Sequence, residues 1–380
     1  MERRGNWEIV GALFALVIAL LTIAGRPETK DYLSYWSAGK LLSQHSDPYS
    51  VAHVLALEQT QGYTARRPLV MRNPPPSLLL ALPLGWLSPR VGLILWVGIA
   101  FGCLVIFLKQ QRVPPRFQGL AFAFTPFLIC LITGQTSCFL LLGLSTFLTF
   151  FRSRPLLAGA ALWLMTGKPH VFFLLWPLLL IDCLLHRRWR LMTGAVLTTG
   201  IATAIAMAFD PQVWPHYLAM LHAEAINNAF LTTPAFMLRY ALNKDKVWIE
   251  LIPAAFALIW AAWFYVRNRR VWDWSVHTAP LLLVCLATCP YVWMTDEVVL
   301  LPALMLALVW ASPRKHAAAV LLLLSLIPFV MLMMKISLPT GAYVWTSIAW
   351  LAWYVYCRGW RVFVEPTDRL ASADAVVTMQ

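Results

Sequence analysis

The sequence predicts an all-α, polytopic integral membrane protein, and three observations carry that prediction. Of its 380 residues, 60% are hydrophobic and only 12% charged, about half the charged fraction of an ordinary soluble domain. The apolar residues fall into twelve runs, at about residues 7–25, 89–108, 117–133, 135–151, 155–168, 170–185, 191–208, 247–266, 275–291, 296–311, 317–335 and 341–357. Several are shorter than the ~20 residues that a perpendicular crossing of a ~30 Å hydrocarbon core takes. Finally, Arg3/Arg4, Lys109/Arg112/Arg116, Arg152/Arg154, Arg187/Arg188/Arg190, Arg267/Arg269/Arg270, Arg314/Lys315 and Arg358/Arg361 share one side when the runs are threaded alternately across a bilayer. That is the positive-inside pattern, with both termini cytoplasmic. It absorbs most of the net charge of +13, so membrane lipids rather than nucleic acid are the expected partners.

In chain order, the first run with Arg3 and Arg4 before it reads as an uncleaved span rather than a secretion signal. A first outer loop, about residues 26–73, contains KDYLSYWSAGKLLSQHSDPY and VAHVLALEQT, whose apolar positions recur at helical spacing among polar ones. They read as two short interfacial helices. RNPPPSLLLALPLGWLSP then returns the chain to the membrane, and its prolines forbid one straight helix. The outer turns gather polar residues: GQTS at 134–137, GKPH at 167–170 and PYVWMTDE at 290–297. Short runs meeting polar turns predict a funnel, because non-helical backbone is tolerated at membrane depth where it lines a water-filled cavity. A second long outer segment occupies about 209–246. With no repeat or linker, residues 1–365 read as one transmembrane domain and 366–380 as a cytoplasmic tail. Seven scattered cysteines make no disulfide framework. There is no Walker loop, GxGxxG turn, HExxH or Cys/His cluster.

The candidate residues lie in the outer loop and turns. Asp31 precedes Tyr35 and Trp36, rings able to stack on a sugar. Its carboxylate suits a general base, while the plainer reading, which spacing alone favours, is an N-cap for the helix beginning at Tyr32. Lys168 has no acid near it in sequence; it either snorkels to the interface or marks a site for an anionic head group. Arg72 and Asn73 stand at the mouth of the same funnel, Arg72 offering a fork for phosphate or an interfacial lipid contact. Gln135 sits at a break suited to binding hydroxyls, His170 is a buried histidine or a ligand contact, and Asp296, beside Glu297, caps its helix or binds substrate.

In their order along the chain, DYLSYWSAGKLLSQHSDPY, PPPSLLLALPLGWLSPRVGLILW, GQTSCFLLLGL, LAGAALWLMTGKPHVFFLLWPLLLIDCLLHRRWR and PYVWMTDEVVLLPAL resemble glycosyltransferase family 87, membrane enzymes of the GT-C class. The resemblance implies a GT-C-like fold and transfer of a hexose, usually mannose, from a polyprenyl-phosphate donor to a lipid or glycan acceptor. The reaction would take place at the outer face of a bacterial inner membrane. It also implies that Asp31 is the catalytic acid of the first outer loop, and that Lys168 and Gln135 match the family's Lys-Pro and Gly-Gln positions. Two departures stand out: Asn73-Pro74-Pro75 where the family has Tyr-Pro-Pro, and Tyr291, Val292 and Trp293 in the stretch before Asp296.

The expected mechanism is inverting, with Asp31 as base and Lys168 and Arg72 stabilising the leaving phosphate. No metal and no cofactor are expected, since the sequence shows no compact carboxylate cluster with ligand spacing; the lipid-linked sugar is a substrate. Two rival readings are a flippase of lipid-linked sugars, which calls for pseudo-symmetric halves, and a non-catalytic envelope scaffold.

Overall fold

A computed structural model describes residues 7–27, 30–223, 233–311, 316–336 and 341–364. The expected basic pairs Arg3/Arg4 and Arg314/Lys315 and the tail from 366 lie outside the described residues. Within them the chain is helices and turns, with no strand. Proline starts many of the helices, because its fixed φ suits the first turn and its missing N–H has no intrahelical partner there. Pro89–Gln110 is typical: Ser88 caps it, its hydroxyl accepting from the Val91 N–H, and Pro89 opens it.

Each of the twelve apolar runs contains a helix, but length divides them. Pro89–Gln110, Trp189–Phe209 and Val247–Asn268 are long and apolar enough to cross a membrane, and Pro115–Phe122 with Thr125–Thr133 makes a fourth if that pair, bent by 47°, is one span. Others, such as Pro155–Met165 and Leu175–Leu185 at 11 residues each, reach only ~16 Å at 1.5 Å per residue. Twelve full-length crossings are thus more than helix length alone supports. The shortfall has a cause, since the short helices stop where polar turns fold inward: at Gly134–Thr136, Thr166–Lys168 and Cys289–Trp293. Apolar side chains cover the outside of the bundle, Leu21, Val196, Phe256 and Ile259 among them, as a lipid-facing surface requires.

The first outer loop forms the two expected helices, Tyr32–Ser43 and Val51–Thr60. The first is no surface helix, however: ten of its twelve residues are buried. It packs backbone to backbone on the proline-rich return, where a Cβ on Gly39 would run into the carbonyl of Ala81 and one on Gly85 into that of Gly39. Small residues at both contact points permit that approach. The helix N-terminus is pressed against the Gly134 turn, and this contact builds the site.

Candidate functional site

A cavity of about 570 Å³ opens where the three polar turns meet. Its walls come from the start of the helix Tyr32–Ser43, the extended stretch from Pro68 to Pro74, the turns carrying Gln135, Lys168 and Tyr291, and Tyr217 with Leu221 from the second outer segment. Residues more than 250 positions apart in sequence share this space, Asp31 and Thr295 among them.

Gly134 positions the first group. Its φ is +73°, a left-handed conformation that glycine adopts without strain, and a Cβ there would strike the Tyr32 side chain. Trp96 donates its indole N–H to the Gly134 carbonyl at 2.8 Å and stacks on Tyr35 with ring centroids 5.2 Å apart. Lys30 donates to the Ile132 carbonyl at 3.2 Å. These contacts bring Gln135 against Asp31.

Asp31 does not cap its helix with its side chain; its backbone is already helical, with φ −59° and ψ −23°. Instead its Oδ2 accepts from Gln135 Nε2 at 2.8 Å, while Oδ1 has no hydrogen-bond partner among the described residues and the side chain lines the cavity. Burial pushes this carboxyl above its ordinary range, against the opposing pull of the Gln135 hydrogen bond and the Lys168 cation. A carboxylate with one oxygen held and one open has the geometry of a general base.

Lys168 departs from the sequence reading. It is buried, and its Nζ donates to Asp296 Oδ1 at 2.6 Å, to Gln135 Oε1 at 3.2 Å and to Ser137 Oγ at 3.4 Å. An ammonium has three N–H donors, and all three are engaged. A lysine free to neutralise an anion is therefore not what folding produces, because an aspartate 128 positions away closes on it. Asp296 is equally occupied, accepting also from Ser137 Oγ at 2.6 Å and from the Trp293 N–H at 3.0 Å. Of its two expected roles it takes the cap, to which the ion pair is added, and it does not line the cavity. Its neighbour Glu297 points elsewhere, accepting from Thr346 at 2.6 Å and Trp350 at 2.8 Å in the last long helix.

Gln135 is likewise less available to substrate than expected. Its Oε1 accepts from the Tyr35 hydroxyl at 2.9 Å as well as from Lys168, and its Nε2 is on Asp31. Tyr35 lines the cavity, whereas Trp36 is buried away from it and donates to the Leu87 carbonyl at 2.9 Å. Trp36 is therefore a packing residue and no sugar platform, since a helix turns successive side chains about 100° apart. Asn73 lines the cavity but is also a brace: its Nδ2 donates to the Gly167 carbonyl at 2.7 Å, and its own carbonyl accepts from the Tyr49 hydroxyl at 2.9 Å. Arg72 lines the cavity in a half-buried position. His170 lines it too, edge-on to Tyr291 at 5.0 Å, its Nε2 without a hydrogen-bond partner among the described residues.

Folding also assembles a cluster that the sequence reading lacks. Asp47, Asp210 and His216 each place a ligand-capable atom within 4.8 Å of the others, with His216 Nδ1 2.7 Å from Asp210 Oδ2 and 3.6 Å from Asp47 Oδ1. The absence of a compact acid cluster thus holds along the chain but not in space, because the two outer segments carrying these residues meet only on folding. None of the three lines the cavity. Tyr217 and Leu221, which do, were invisible in an ordinary apolar helix, Val213–Ala223.

Compared with known families, residues 72–335 match the family model described as Glycosyltransferase family 87. The match takes in Arg72, Gln135, Lys168 and Asp296 and begins after Asp31. No curated protein and no solved structure matches the chain.

Proposed function

The chain belongs to glycosyltransferase family 87 and is a glycosyltransferase of membrane character; from that premise we propose that it moves a hexose, as the family resemblance implies usually mannose, from a polyprenyl-phosphate donor to a lipid or glycan acceptor by an inverting displacement. Membership sets aside the flippase and scaffold readings. The observation that carries the proposal is that Asp31, with only one carboxylate oxygen held by a hydrogen bond, and Arg72 line one cavity.

In this reading the acceptor hydroxyl gives its proton to Asp31 Oδ1 as its oxygen forms a bond to the sugar's C1. The bond from C1 to the lipid phosphate breaks on the opposite face, and its electron pair leaves with the phosphate. The transition state is oxocarbenium-like, so the protein's task is alignment and charge stabilisation. Arg72, whose guanidinium is planar and forked, lines the cavity and takes the phosphate role, so that in this reading the counter-charge comes from a side chain rather than from a metal ion. Tyr35, Asn73 and His170 contact the sugars. A donor that cannot leave the bilayer fits a cavity among helices with apolar outer faces. The basic turns support a reading with about twelve membrane passes, both termini in the cytoplasm and the cavity at the outer face of a bacterial inner membrane.

The test is transfer of label from radiolabelled polyprenyl-phosphate mannose to envelope lipids and glycans by the purified protein in lipid. A labelled product from the wild type, lost in a folded Asp31→Asn variant, is the expected result. Equal transfer by both proteins would remove Asp31 from the mechanism; label left on the donor with every hexose tried would sink the donor class.

A further inference from the structure

We infer that Gln135 is a positioning residue whose amide is locked in one orientation and, through that lock, fixes the Asp31 carboxylate with Oδ1 turned to the cavity. The inference rests on the reading of Asp31 as the base. It starts from the chemistry of a primary amide, which has one end that accepts hydrogen bonds and one that donates them. At Gln135 the accepting oxygen meets two donors, the Tyr35 hydroxyl at 2.9 Å and the Lys168 ammonium at 3.2 Å. Flipping the amide would set its NH₂ against an ammonium that only donates, and its oxygen against the carboxylate of Asp31. Both contacts would turn repulsive, so the N–H of Gln135 must face Asp31 Oδ2, as it does at 2.8 Å.

The lock has its own support. Asp296, buried and held by Ser137 and the Trp293 N–H, pins Lys168 at 2.6 Å. Lys30, adjacent to Asp31 in the chain, is turned to the Ile132 carbonyl. Order therefore passes from a saturated ion pair through one amide to a carboxylate with one unpartnered oxygen, and a hydrogen bond to the charged form of Asp31 favours that form. Gln135 acts on the reaction without touching a reacting atom.

The experiment follows the Asp31 carboxyl itself. Infrared titration of the full-length protein in lipid, with the Asp31 band assigned by its loss in Asp31→Asn, is compared between wild type and Gln135→Leu. Loss of the donated N–H should move the Asp31 midpoint to higher pH, and kcat for transfer should fall about 10- to 100-fold with KM nearly unchanged. Should Gln135→Leu not fold, Gln135→Glu keeps the size and the Lys168 contact, and by setting a second carboxyl beside Asp31 it should raise the midpoint further. Tyr35→Phe removes one of the two donors and should give a smaller shift in the same direction. An unmoved midpoint in a folded Gln135 variant would overturn the inference, as would a rise in KM with kcat unchanged, which would make Gln135 a substrate contact. Full transfer by Asp31→Asn would instead remove the base reading while leaving the measured Gln135–Asp31 coupling intact, so the two failures are distinguishable.

Discussion

Acids at the two ends of one stretch of chain, residues 169–185, are treated in opposite ways. Where the helix Leu175–Leu185 ends, Asp182 is fully buried and closed. Its Oδ1 accepts from the Tyr265 hydroxyl at 3.4 Å and lies 2.8 Å from His186 Nδ1, and its Oδ2 accepts from the Trp274 N–H at 2.9 Å and is ion-paired to Arg188 Nε at 2.9 Å. Where the stretch begins, beside Lys168, a second closed carboxylate, Asp296, supports an open one, Asp31, over a cavity. A buried charge must be paired and hydrogen-bonded; where saturation is complete the acid fastens helices together, and where it is left incomplete beside a void the acid can take a proton from something else.

Substitutions can break that contrast. Asp31→Asn should lower transfer by about 10²- to 10⁴-fold while leaving the melting temperature in detergent close to wild type, because the open carboxylate contributes little to packing. A large loss of stability would make Asp31 a closed acid like Asp182. Lys168→Met strands Asp296 without its cation and should destabilise the fold by about 3–5 kcal/mol, lowering transfer as well, since Gln135 then loses a lock. Stability and transfer both unchanged would refute the supporting role of the pair. Asp182→Ala should cost about 1–3 kcal/mol, the penalty for leaving buried donors such as the Trp274 indole unpaired, yet transfer per folded molecule should persist. Loss of transfer in folded protein would tie the two ends together functionally.

The smallest effect sharpens the contrast at an intermediate case. Glu58 is buried with one oxygen accepting from the Leu69 N–H at 3.0 Å and the other unpartnered among the described residues. Burial pushes its carboxyl up to about 7, against the opposing Leu69 hydrogen bond. The folded chain therefore holds this proton more tightly than the unfolded one, and stability should fall as pH rises from the unfolded value of about 4.5 to about 7. Denaturation measured across that window should show the slope, and Glu58→Gln should flatten it; an identical slope in the variant would remove Glu58 from the pH response.

The sequence by itself determined the elements and the places where they break. Twelve apolar runs became helical segments because apolarity and proline placement act locally, and the turns GQTS, GKPH and PYVWMTDE reached one cavity because polar backbone among apolar helices has to be gathered around a polar space. Family membership was legible in the same pieces. What only the tertiary structure decided is who partners whom: that Lys168 closes on Asp296, that Gln135 faces Asp31 across 104 positions, that Trp36 turns away while Tyr35 turns in, and that Asp47 meets Asp210 and His216. Helix formation depends on neighbours a few residues away, so it can be read along the chain. Saturation of a buried charge depends on which atoms lie within about 3 Å, and that distance exists only once the helices have packed.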